Sequence, residues 1–144
     1  MESEPWPPVE EPAVLAILRN LTLASLVGVV FSLARRAPFL APPITLLALW
    51  PTLGGHFVEL AFLNGLRPRL PRARVAQIPA RLLWWLAGGA VLGSAVIATA
   101  QLLPVTAPPW RWWWLGAPGF VALELAVHAS LGLLGRPNFY RGDG

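Results

Sequence analysis

Two short stretches hold every histidine of this chain and every acid outside its ends. GGHFVELAF (54–62) carries His56 and Glu59, and ALELAVHAS (122–130) carries Glu124 and His128. Spacings of three and four residues put each pair on one helix face. Imidazole and carboxylate suit zinc, iron or manganese, and such pairs on facing helices are how helical bundles present metal ligands. His56, Glu59, Glu124 and His128 are therefore candidate ligands of one divalent metal. Two carboxylates are too few for a ferritin-like dinuclear centre. A haem or (bacterio)chlorophyll on His56, His128 or both is a second candidate cofactor. Arg19, Asn20 and Asn64 are expected around the ligands as a supporting shell. No catalytic nucleophile is expected: cysteine is absent, and no serine stands in a Gly-x-Ser-x-Gly elbow.

The same residues also bear two other readings. An Arg19–Glu59 ion pair and a Glu124–His128 hydrogen bond would make them interhelical glue. The chain would then be a non-catalytic structural or accessory subunit of a larger membrane complex, of a bioenergetic or pigment-binding kind. Glutamates at matched depth in two similar halves would instead suit a proton- or cation-coupled transporter.

The elements that must position these groups are apolar. Of 144 residues, 56% are hydrophobic and only 12% charged, about half the charge of an ordinary soluble domain. A membrane span needs about 20 apolar residues, and four segments qualify: 13–34, 44–66, 82–103 and 115–135. Backbone groups in lipid must be satisfied within the segment, so all four are expected to be helices. The fold class is thus all-α, an integral membrane four-helix bundle forming one domain over 13–135. Residues 1–12 are an acidic, proline-rich arm, too acidic for a secretory signal, and 136–144 are a short tail.

At an offset of 65 residues Val58-Glu59-Leu60-Ala61 falls on Leu123-Glu124-Leu125-Ala126, and Val27-Gly28 on Leu92-Gly93. This raises the expectation of two parallel two-helix repeats. The histidines do not align at this offset. Separately, depth in the second and fourth spans, which run the same way, puts His56 level with Glu124 and Glu59 with His128 if these helices face each other. Small residues allow close helix approach at Ala24-xxx-Gly28 and Gly89-xxx-Gly93. Ala122, Ala126, Ala129 and Ser130 form a further small stripe, largely opposite Glu124. If exposed, it would favour the subunit reading.

Arginines fix the orientation. Arg67, Arg69, Arg72, Arg74 and Arg81 crowd the loop between the second and third spans, where they are expected to meet lipid headgroups. With Arg136 and Arg141 they outnumber Arg35, Arg36 and Arg111 on the other side. Both termini are therefore expected in the cytoplasm, with a bacterial inner membrane as the location. Trp84 and Trp85 at one interface, and Trp50, Trp110, Trp112, Trp113 and Trp114 at the other, read as an aromatic belt. Expected partners are membrane lipids and other membrane subunits or a second copy. Nucleic acid is not expected, because the basic loop is wedged between two spans.

AVHASLGLLGRPNFY (126–140) resembles the end of purple-bacterial light-harvesting beta polypeptides. There a membrane histidine ligates bacteriochlorophyll and a Trp-Arg-Pro-aromatic segment follows. The resemblance covers some fifteen residues and implies a pigment-ligating role for His128, with Arg136, Pro137 and Phe139 in the following segment. Gly135 stands in place of the tryptophan, and Glu124 where a small residue is usual.

Overall fold

The fold is taken from a computed structural model that describes residues 12–133. Apart from Pro12, the expected N-terminal arm lies outside the described residues, as does the tail with Arg136 and Arg141. Helix α1 spans Ala13–Ala34, matching the expected first span. Its backbone then turns sharply. Arg35 and Arg36 donate to Phe31 and Leu33, and Arg36 adopts a left-handed φ of 51° before Pro38 opens the next helix.

Helix α2 runs over Pro38–Arg69, beginning earlier than the expected 44. Pro38 and Pro42 fall where a helix start leaves N–H groups unbonded anyway, so they initiate rather than break it. Pro51 lies in the interior and removes a ladder hydrogen bond. There α2 widens into a π-helical turn, Trp50–Gly54. A second π turn covers Phe62–Leu66. The His56–Glu59 segment is a short α-helical stretch, Gly55–Ala61, held between the two.

Helix α3 spans Arg74–Gln101, starting two turns before the expected 82. Of the Arg- and Pro-rich stretch that reads as a loop, 67–69 end α2 and 74–81 are the first two turns of α3, with Pro79 accommodated inside. After a tight 3-10 turn at Trp110–Leu115, helix α4 covers Gly116–Leu133. Positions 134 and 135 of the expected fourth span lie outside the described residues. The chain is all-helical, with no strand among the described residues. Three helices, Ala13–Ala34, Pro38–Arg69 and Val75–Gln101, are long and apolar enough to cross a membrane.

The helices pair as two antiparallel hairpins, α1 with α2 and α3 with α4. Each pair is tight because side chains are missing where backbones meet. The buried stripe of α1 is Ala16, Asn20, Ala24, Gly28 and Ser32, and a Cβ on Gly28 would strike the Thr45 hydroxyl and the Ala41 carbonyl. In the second hairpin a Cβ on Gly93 would lie 2.7 Å from the Trp113 carbonyl. The hairpins meet along α2 and α3. Val58 fills the space over Gly88, and Trp84 Nε1 donates to the Val58 carbonyl at 2.8 Å. Nearby, Trp85, Leu92 and Phe120 form the buried apolar cluster.

Candidate functional site

The site is assembled where α2, α3 and α4 come together. Glu59, in the α-helical stretch between the two π turns, is completely buried at 0% exposure. Such a carboxylate needs donors on both oxygens, and α3 supplies them one turn apart. Arg81 Nη2 donates to Oε1 and pairs with it as an ion pair. Trp85 Nε1 donates to Oε2 at 2.5 Å. Arg81 and Trp85 are at i and i+4, so they share one face, and the guanidinium also lies over the Trp85 ring, 5.1 Å from its centre.

Arg81 reaches α4 as well. Its Nη2 is 3.2 Å from His128 Nε2, while His128 Nδ1 is 2.7 Å from the Glu124 carbonyl oxygen. An arginine can only donate and a carbonyl can only accept. One tautomer satisfies both contacts: Nδ1 carries the proton and Nε2 accepts from Arg81. The imidazole is thereby fixed as a neutral ring, packed on Trp85 at 5.5 Å between centres. Glu124 is buried beside it, with Oε2 3.7 Å from His128 Nδ1 and accepting no hydrogen bond.

Three of the four expected ligands therefore gather near one point, and their hub is an arginine. His56 points elsewhere. It is buried on α2, with Nδ1 3.3 Å from Arg19 Nη2 of α1. Arg19, expected to pair with Glu59, faces His56 instead. Asn20 is buried and donates to the Ala16 carbonyl of its own helix at 2.8 Å, whereas Asn64 is exposed on the second π turn.

The interface residues divide. Arg81, expected at the headgroups, is turned inward, because α3 starts at Arg74 and places position 81 within the helix rather than before it. Trp84 and Trp85, expected in the belt, are likewise turned into the packing by their indole hydrogen bonds. Of the remaining loop arginines, Arg67 is buried, Arg69 and Arg72 are exposed, and Arg74 begins α3. Trp110, Trp112, Trp113 and Trp114 are exposed around the start of α4, and Trp50 is exposed while donating to Thr99 Oγ1 at 2.8 Å.

Sequence reasoning missed Arg81 and Trp85 as members of the site. The available signal was their i, i+4 spacing on one face, together with the need of a buried glutamate for a base. Chemically, the cluster holds the Glu59 carboxylate and the Arg81 guanidinium in contact between helices, with the His128 imidazole against the guanidinium and Glu124 beside it. Among the described residues no group of three or more histidines, cysteines or acids is placed to hold a metal ion. The chain matches no family model, no curated protein and no solved structure.

Proposed function

We propose that the chain is a small integral membrane protein of four spans in which the arginine-centred cluster ties two hairpins together. In this reading it serves as a non-catalytic accessory subunit of a larger membrane assembly. The observation that carries it is the position of Arg81. Its guanidinium bonds both Glu59 and His128, where a bound cation would compete with a fixed positive charge. A divalent metal on Glu59, Glu124 and His128 would first have to displace it.

The membrane setting is supported by the outer faces. Leu18, Leu26, Val30, Val91 and Leu125 are among many large apolar side chains that are half exposed or more, and water would not tolerate such continuous apolar patches. The arginine distribution supports cytoplasmic termini in a bacterial inner membrane. The accessory role is supported by α4: Ala122, Ala126, Ala129 and Ser130 are all exposed on its outer side. Small residues of this kind let another helix approach closely.

The test is elemental analysis of the protein purified in mild detergent without chelator, beside a Glu59→Ala/His128→Ala variant. The expected result is no stoichiometric transition metal in either, with other membrane subunits recovered alongside the wild type. Stoichiometric zinc, iron or manganese in the wild type, lost in the variant, would overturn the proposal and restore the metal reading.

A further inference from the structure

A second feature lies at the opposite end of the α3/α4 hairpin from Arg81. Between α2, α3 and the start of α4 is an open groove of about 330 Å³, walled by Pro51, Gly93, Val96, Trp112, Gly119 and Leu123 among others. Its walls are aliphatic and aromatic, and the Trp112 indole N–H is their sole polar side-chain group. The local sequence explains the groove. The π turn at Pro51 widens α2 at this level. Gly93 and Gly119 contribute no side chain, and the 3-10 turn Trp110–Leu115 folds Trp112 across one end. A Cβ built on Gly119 would meet nothing within 4 Å, so the space in front of it is open.

Such walls reject charged or strongly polar ligands, whose desolvation nothing would offset. The chain next to the groove has a different character. Arg111, beside Trp112, is exposed, and it is the only charged residue between Leu82 and Leu123. An apolar slot whose wall residue Trp112 follows an exposed cation in the chain complements one class of molecule: a hydrocarbon chain carrying an anionic head.

We propose that the groove holds one acyl chain of an anionic phospholipid, with the headgroup phosphate at Arg111. The proposal rests on the membrane reading above. Glycines supply the room, tryptophans mark the headgroup level, and Arg111 selects for negative charge.

The test compares wild type with Gly119→Leu and Arg111→Gln in mixed phosphatidylcholine/phosphatidylglycerol nanodiscs, reading bound lipid by native mass spectrometry after release. An alkaline carbonate wash of the source membranes comes first. Release of the chain by that wash would sink the membrane reading itself, whereas retention leaves only the groove in question. Wild type is expected to keep one phosphatidylglycerol. Gly119→Leu should lose most of that bound lipid, because the added side chain fills the open space in front of position 119 that the acyl chain would occupy. Arg111→Gln should keep a lipid but lose the preference for the anionic one. If Gly119→Leu folds poorly, Leu123→Trp narrows the same slot from an already exposed position. Unchanged phosphatidylglycerol occupancy in the narrowed variant overturns the proposal. So does an unchanged preference in Arg111→Gln, or a quinone, an isoprenoid or a second copy of the chain found in the slot.

Discussion

Glu59 has no exposed surface, and its two oxygens are taken by Arg81 and Trp85. Removing one partner of a buried pair strands the other, typically at about 3–5 kcal/mol, while removing both together costs far less. Arg81→Gln should therefore lower stability by about 3 kcal/mol or more. Glu59→Leu/Arg81→Leu should recover much of that loss. Thermal melts of the detergent-purified variants would show it, and a double variant as weak as the sum of its singles would mean that the two residues are not coupled. At this scale the sequence made half of the site legible. His56, Glu59, Glu124 and His128 stood out because ionisable groups are rare in apolar runs. Arg81 did not, because it stands beside four other arginines and three prolines, a composition that reads as loop. His56 was expected to converge with the others, but three residues of helix turn it toward α1 and Arg19 while Glu59 turns toward α3.

Helix α1 was legible to its last residue because nothing in it opposes a helix and Arg35 to Pro38 end it. The starts of α2 and α3 were not, since prolines near a helix start are permitted while the same letters elsewhere forbid helix. The π turns were also hidden, although Pro51 is a visible cause for the first. Two variants test how these elements join. Gly28→Val drives a side chain into Thr45 and the Ala41 carbonyl and should cost about 1–3 kcal/mol, as overpacking does. Gly65→Ala, with nothing within 4 Å, is the control and should stay within about 1 kcal/mol, the helix-propensity range. At the α1–α2 turn Arg36 holds a left-handed backbone, which costs a side-chain-bearing residue roughly 1–2 kcal/mol. Arg36→Gly should relieve this and raise the melting temperature, whereas Arg35→Gly, at a φ of −87°, should not. Equal effects of the two would show that the turn is not strained at position 36.

Across the whole molecule the two hairpins bury similar faces. The α1 stripe at 16, 20, 24, 28 and 32 falls, at the 65-residue offset, on Arg81, Trp85, Gly89, Gly93 and Ile97, the inward side of α3. The outer sides stay apolar, and α4 keeps small residues outward. Because the chain lacks cysteine, Ala126→Cys introduces a single reporter on that face. In native membranes a thiol-directed crosslinker should join it to another chain, while Val91→Cys on the outside of α3 should give much less. Equal yields at both positions would remove the support that α4 lends to an accessory role.

The tie between Glu59 and Arg81 also has a consequence for how the molecule is made. The two residues are 22 apart in sequence, so the acid leaves the ribosome before the base that neutralises it. Bringing an uncompensated carboxylate into hydrocarbon is costly. On the membrane reading, the second helix is therefore expected to wait at the translocon until the third arrives, and the pair to enter lipid together. In nascent chains ending just before Arg81, a cysteine placed at the exposed position Phe57 of the second helix should stay open to a water-soluble thiol reagent, and chains extended well past Gln101 should protect it. A Glu59→Leu chain should need no such delay.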